Sequence, residues 1–491
     1  MFDLKKARDA GLFSFPKAEI LIFLLVICYL ISPWLRYDFG FAGHNDQRFL
    51  ATLALGILSL SLVSNRGVSS LLKSLYQLPL PWLMLIFYVL LIPIFQSLFL
   101  EQAIRSFQDF GLFCLMLLAI YALKKLMVSN KNIERTVLVF TLLIAFLLTI
   151  KLIDNFAINL RLPEGFYSPP SISGLSNIRI VNHIQVFLVP LLTIFFWKGF
   201  FYKYSLLSLF MTFSFICLQY VLLFYSGGRG VLLSIVISFL LVIVFRGYKR
   251  RLSLTLCCLL PMFVGFLIYW SAYIWLPGKL TGEEFFGYVG RLGHHDAGRL
   301  DIWLAAIKTI YNNSMLGIGG QSFALVMPDF PIGSAHNMLL NVAVEYGVFA
   351  ALLFLMFVAF FLYKFFREMH RGEENFFTVV FGLPILAALI YSNFTGVLLS
   401  PLGQLLFTLC FSAFFAFNKE KIFLCEKVSC SNKILSLVVV LLLFSFSLIC
   451  LVITIGDVVL FSESIVDCSK ASSSMVTCYP RFWLNGHYWT Y

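Results

Sequence analysis

The sequence predicts an all-α fold, a polytopic transmembrane helix bundle of about 12–13 spans with a large loop on one side that holds a surface helix. Three observations lead there. Of the 491 residues, 60% are hydrophobic and 12% charged, with a mean hydropathy of +0.91; a soluble domain is about half apolar and about one quarter charged. Apolar runs long enough to cross a ~30 Å hydrocarbon core recur along the whole chain. None of them alternates with period two, which favours helices over barrel strands.

Taken in order, the expected spans lie near 18–35, 48–64, 80–99, 106–123, 135–154, 180–197, 204–224, 230–246, 253–275, 336–363, 376–395, 401–418 and 434–460. The first lacks a small-x-small cleavage site after its apolar core and reads as an uncleaved anchor. The chain therefore divides into an N-terminal bundle of about nine spans at 1–275 and a large loop at 276–335. Further spans over 336–460 and a short tail at 461–491 complete it.

Basic residues set the orientation. With the N-terminal tail in the cytoplasm, the inside segments carry 23 of the 36 Lys+Arg, among them Arg66, Lys124, Arg250, Arg367 and Lys419. The opposite orientation would put nearly every basic cluster on the wrong side. The outside remainder contains nine Arg and four Lys, against eight Arg and fifteen Lys inside. Topology needs only charge, whereas a planar five-donor fork suits a phosphate or carboxylate gripped at two points. The net charge of +12 thus reports topology and contact with anionic membrane lipids, and points away from nucleic acid.

Most of the eleven cysteines sit inside spans, where they act as small hydrophobes. Cys468 and Cys478 lie ten apart in the polar outside tail and are candidates for a disulfide in an oxidising compartment. No CxxC or His/Cys cluster suggests a metal site, and the adjacent His294 and His295 lack further ligands. The expectation is no metal and no cofactor.

Two outside loops are long. The segment 155–179, rich in Pro, Gly and Ser, reads as irregular, whereas 276–335 holds a helix of its own. Asp296 is a plausible cap for that helix, which is expected to run to about Tyr311 and stop at Asn312-Asn313. Trp303, Ala306 and Ile310 share a stripe flanked by Leu300, Ile302 and Ile307, with Asp301 and Lys308 on the opposite, wet face. Arg299 falls within the apolar stripe and so points toward the bundle or lipid headgroups.

Polar motifs collect at the outer ends of spans, where polar groups are costly and usually functional. Ser226-Gly227-Gly228-Arg229-Gly230 makes a very tight outside turn. Its glycines remove side chains and expose backbone N–H groups at a helix start, the chemistry of an anion cradle to which Arg229 adds a guanidinium. Gly228 and Gly230 are therefore candidate binding positions. A second glycine-rich stretch, Leu316-Gly317-Ile318-Gly319-Gly320, supplies close approach but no chemistry of its own. His336 and Asn337 open the next long span, where an imidazole can accept a proton near neutral pH. Glu345, about 13 Å further along the helix, is too deep to orient His336 directly. Asn182, His183 and Gln185 begin the sixth span at the same outer level and are expected to line the same cavity.

The ordered set resembles the O-antigen ligase/polymerase superfamily of bacterial envelope glycosyltransferases. The resemblance rests on Ser226–Gly230 at a span junction, then a large loop with Gly298-Arg299-Leu300-Asp301-Ile302-Trp303 and Leu316-Gly317-Ile318-Gly319. His336-Asn337 and Glu345-Tyr346-Gly347 complete it, so that it covers about 225–350 closely. It implies an enzyme of the bacterial inner membrane that takes a glycan from an undecaprenyl-pyrophosphate carrier at the periplasmic face, with inversion and without metal. Carried over, Arg229 and Arg299 would bind the donor pyrophosphate and His336 would assist the acceptor hydroxyl. The acceptor would be the lipid A–core for a ligase, a second carrier-linked repeat for a polymerase, or a Ser/Thr hydroxyl for a protein O-oligosaccharyltransferase. A ligase is the first reading, since only about 30 residues follow the last span where the protein-glycosylating branch carries a sizeable soluble region. The extra last span departs from the twelve-span ligase layout. From another class, a lipid-linked glycan flippase or small-molecule transporter would show internal pseudo-symmetry, of which the sequence carries no convincing repeat.

Overall fold

The computed structural model describes residues 43–63, 65–99, 103–128, 133–161, 178–201, 205–245, 248–281, 298–326, 333–370, 376–417 and 430–461. Every regular element among them is helical. The chain order is α1 (Gly43–Leu60), α2 (Asn65–Tyr76), α3 (Leu80–Gln96), α4 (Ala103–Val128), α5 (Ile133–Arg161), α6 (Ile178–Phe201), α7 (Leu206–Ser226) and α8 (Arg229–Phe245). It continues with α9 (Tyr248–Tyr269), α10 (Leu276–Thr281), α11 (Arg299–Asn312), α12 (Met338–His370), α13 (Phe376–Tyr391), α14 (Pro401–Phe417) and α15 (Cys430–Phe461).

Seven of the described helices are long and apolar enough to cross a membrane, or eight if the pair α2–α3, bent by 120°, is one span. This is a multi-pass membrane protein. Four further apolar helices, in α1, α8, α13 and α14, have 10–17 residues. They reach about 25 Å at most, short of a ~30 Å core, so the expectation of 12–13 spans counts these shorter rods as well. The expected span at 18–35 lies outside the described residues, as do Cys468, Cys478, His294, His295 and Asp296.

Several boundaries differ from the sequence reading for physical reasons. α2, read as loop, is a short helix whose Val68, Leu71, Leu72 and Leu75 pack inward, and it stops before Pro79. α9 does not end at 275: a π-helical stretch at Trp270–Trp275 carries the helical backbone on into α10, so the large loop opens later than expected. α12 is not one straight span, because Gly347 breaks it with non-helical dihedrals (φ 83°, ψ 172°).

The core is built from mostly apolar helices. Residues 181–195 of α6 and 401–415 of α14 are buried at every position, the polar Asn182, His183, Gln185 and Gln404 included, as befits a bundle interior. α13 packs on α6, α14 and α15 pack along α4, and α9 lies along α7. Residues that the charge pattern assigns to one side meet one another. At one end of the bundle Arg48 of α1 donates to the Leu399 carbonyl at 2.5 Å and also to Gln404. Arg105 of α4 pairs there with Asp457 of α15 at 2.7 Å. At the opposite end Phe245 of α8 meets Phe366 of α12, and Asn432 of α15 donates to the Leu78 carbonyl.

Candidate active site

The turn between α7 and α8 is built as its composition demands. Gly227 ends α7 in the left-handed region (φ 65°), which a Cβ would strain. Gly228 lies against α6: a Cβ there would stand 2.9 Å from both side-chain heavy atoms at the tip of Asn182. Asn182 accepts from the Ser226 hydroxyl at 2.8 Å, tying the turn to α6. Gly230 faces Tyr391 of α13, whose ring would sit 3.2 Å from a Cβ. The N–H groups of Gly228 and Arg229 donate to the carbonyls of Leu223 and Gly227. The expected cradle is therefore reduced to the first turn of α8 and the exposed Arg229 side chain.

Hydrogen bonds hold the chain just before and just after His336. It is one of two non-glycine residues with positive φ (51°) among the described residues, a conformation worth about 1–3 kcal/mol of strain and often kept at functional positions. Just before it, the Ala335 N–H donates to Asn341 Oδ1 at 3.2 Å, and the Ala335 carbonyl accepts from Trp303 Nε1 at 3.0 Å. Just after it, Asn337 caps α12 by accepting from the Leu340 N–H, and the Met338 N–H donates to the Ser392 carbonyl at 2.9 Å. Glu345 accepts from Asn341 Nδ2 at 2.9 Å. The buried Glu345 thus reaches the Ala335 N–H beside His336 through one intervening amide, with no direct bond to His336 itself, as its depth leads one to expect.

These contacts bring the three sequence motifs to one place. The turn 392–396 after α13 is the hub. Phe394 and Tyr391 face Gly230 beside Arg229, Ser392 holds Met338 beside His336, and Thr395 Oγ1 lies 3.2 Å from His183 Nε2. Ser334 Oγ would lie 3.6 Å from a Cβ on Gly396. From the other flank, Trp303 latches α11 to Ala335, and Arg299 stands one turn earlier in α11, about 6 Å along its axis. Arg299 is half-buried.

Beneath the site a loop closes the break in α12. Ile318 and Gly319 donate backbone N–H groups to the carbonyls of Val344 and Glu345 at 2.9 and 3.0 Å, and Val348 donates to Ser314 at 2.8 Å. Gln96 Nε2 donates to the carbonyls of Leu316 and Glu345 and Ser106 donates to Gln96 Oε1, while Tyr346 donates to Asp109 at 2.6 Å. A helix can be broken at this depth only where other groups take up its backbone, and the Leu316–Gly320 stretch supplies them.

Not every expected residue joins the cluster. Asn182 and His183 do, but Gln185 is fully buried between α6 and α7 and donates to the Gln219 carbonyl at 2.8 Å. One helical turn separates the two environments. α11 starts at Arg299 behind a left-handed Gly298 rather than at an Asp296 cap. Ile302 and Ala306 are its fully buried residues, while Leu300 and Ile307 of the expected flanks are exposed. Sequence reasoning missed Asn341, the 392–396 hub and the charged groups Arg48, Arg105, Asp109 and Asp457. The last four had a usable signal, a charge inside an apolar span; the hub and Asn341 had none.

Residues 210–355 match the family model described as O-antigen ligase. Over these residues the chain is O-antigen ligase-like. The matched stretch runs from α7 into α12 and contains Arg229, Arg299 and His336, whereas Asn182, His183 and the hub lie beyond it. No curated protein matches the chain.

Proposed function

We propose that this O-antigen ligase-like protein transfers a glycan from an undecaprenyl-pyrophosphate donor to an acceptor hydroxyl at the periplasmic face of the inner membrane, most simply the lipid A–core. The supporting observation is the contact chain from Gly230 through the 392–396 hub to His336 and on to Trp303 and α11. It gathers two guanidinium-bearing segments and one imidazole-bearing segment at the same end of the bundle.

In this reading Arg229 and Arg299 neutralise the pyrophosphate, and Asn182, Gly228 and Gly230 shape the floor beside it. His336 accepts the acceptor proton while the hydroxyl oxygen attacks the anomeric carbon. The bond from that carbon to the pyrophosphate oxygen breaks with inversion, and undecaprenyl pyrophosphate leaves. Neutralising a leaving group that carries charge in the transition state is the larger contribution, and a positioned base adds a smaller factor. An imidazole base acts in its neutral form, so transfer falls toward acid pH.

Two experiments test the assignment. Removing the gene and examining surface glycans separates the acceptors: loss of all long chains on the core supports the ligase, core bearing single repeats indicates a polymerase, and unglycosylated proteins an oligosaccharyltransferase. Purified protein in vesicles supplied with carrier-linked glycan and acceptor tests the chemistry. His336→Ala should slow transfer and leave donor binding nearly intact. Glycan movement across the vesicle without any transfer would replace the enzyme with a flippase.

A further inference from the structure

α11 has three faces rather than two. Ile302, Trp303, Ala306 and Ile310 take one arc and pack with Phe323, Ala335 and Val344. Asp301, Lys308 and Asn312 take a second. Leu300, Leu304, Ile307 and Tyr311 fall within about 60° of one another on a third, at 100° per residue. All four are exposed, from 54% for Ile307 to 85% for Tyr311, and Met315 one turn beyond is 57% exposed. A continuous exposed apolar stripe of this kind marks a contact surface.

The stripe runs into the lipid-facing belt of the bundle. At its far end the Met315 carbonyl accepts from Tyr88 Oη at 3.4 Å, and the Tyr88 ring meets Phe349 edge-on at 5.3 Å. Phe349 opens the exposed apolar flank of the membrane-crossing α12, followed by Leu352 and Leu355, and α3 presents Met84 and Phe95 beside it. We infer that α11 is an interfacial helix whose Leu300–Leu304–Ile307–Tyr311 face is immersed in the acyl region of the adjoining bilayer leaflet. One flank rests on protein, the apolar face sits in lipid, and Asp301 and Lys308 face water. An in-plane helix needs that arrangement, and Tyr311 suits it with an apolar ring and a polar tip. Because Trp303 of this helix holds Ala335, the bilayer fixes the height of Arg299 and His336 relative to the membrane.

The proposal does not depend on the transferase reading, and its test needs no substrate turnover. The full chain is placed in phosphatidylethanolamine/phosphatidylglycerol vesicles containing a trace of phospholipid with a photoactivatable acyl chain, illuminated and mapped by peptide mass spectrometry. A parallel sample is oxidised by hydroxyl radicals from the water side. Lipid adducts on Leu304, Ile307 or Tyr311 comparable to those on Leu352 and Leu355, with Tyr311 and Met315 protected from oxidation and Asp301 and Lys308 free of adducts, are expected. Leu304→Glu/Ile307→Glu should lose the adducts on α11 and keep those on α12. Oxidised, unlabelled Tyr311 would overturn the proposal in favour of a water-facing stripe. A stripe protected from both reagents would overturn it in favour of a protein partner or second copy. Adducts abolished by added undecaprenyl pyrophosphate would overturn it in favour of the carrier's own tail.

Discussion

Replacing Gly347 by alanine should be among the most damaging single-methyl changes in this chain, and the structure lets the size be worked out. Gly347 sits at φ 83°, ψ 172°, a region that only glycine occupies readily, so alanine incurs about 1–3 kcal/mol of backbone strain. Its Cβ would lie 2.3 Å from the Met315 carbonyl oxygen and 2.7 Å from the carbonyl carbon, so backbone rather than a flexible side chain must move. That movement pulls on the three backbone bonds joining 314–319 to 344–348. At about 1 kcal/mol each they add up to about 3 kcal/mol, for a total of about 4–6 kcal/mol if all three are lost. Two controls separate the parts. A Cβ on Gly298 (φ 73°) meets nothing within 4 Å, so Gly298→Ala incurs only the dihedral cost of about 1–2 kcal/mol. Gly456 in α15 has open space and an ordinary helical setting, so Gly456→Ala should be neutral or stabilise by about 0.5–1 kcal/mol. Thermal unfolding of purified protein in detergent should order stability as Gly456→Ala, then Gly298→Ala, then Gly347→Ala. Gly347→Ala unfolding together with Gly456→Ala would refute the stitched break in α12.

Other outcomes follow from the polar contacts. Arg105→Ala removes the ion-pair partner of the nearly buried Asp457, which keeps the Gln108 amide as a donor at 2.9 Å, and should lower stability by about 1–3 kcal/mol in thermal unfolding. Arg105→Met/Asp457→Leu should recover most of that loss, and a double change worse than the single would contradict the ion-pair account. Asn341→Ala removes the acceptor for the Ala335 N–H, and through the His336 backbone should slow transfer by about 10-fold while donor affinity holds. Equal rates in single-turnover assays would deny Asn341 a positioning role.

The layout of this protein was largely legible from its sequence because hydropathy and charge act locally along each span. α6 and α14 read as spans for the same reason that they are buried: most of their residues are apolar. α2 was hidden because a short amphipathic helix between two spans looks like a polar loop. The break at Gly347 was hidden because a lone glycine in an apolar run carries no sign of its dihedrals. The site was half legible. Arg229 and His336 stand out as polar groups at span ends and Arg299 as a charge in the apolar stripe of the loop helix, but Ser392 and Asn341 act by bonds to the backbone of Met338 and Ala335. Serine and asparagine occur at helix ends for many reasons, and only the packing of α12 against α13 and α11 reveals which ones hold His336.

The central claim is that Arg229 and Arg299 grip one pyrophosphate, and donor affinity measures it most directly. In vesicles containing purified wild type, Arg229→Ala, Arg299→Ala or Arg299→Lys, binding of undecaprenyl-pyrophosphate-linked glycan is titrated and transfer is followed in the same preparation. A charge-assisted hydrogen bond is worth about 1.5–3 kcal/mol, so each alanine variant should weaken donor binding by about 10- to 150-fold and abolish measurable transfer. Lysine at 299 should recover little, because the two-point fork is gone. Wild-type affinity and transfer in either alanine variant would contradict the shared pyrophosphate site.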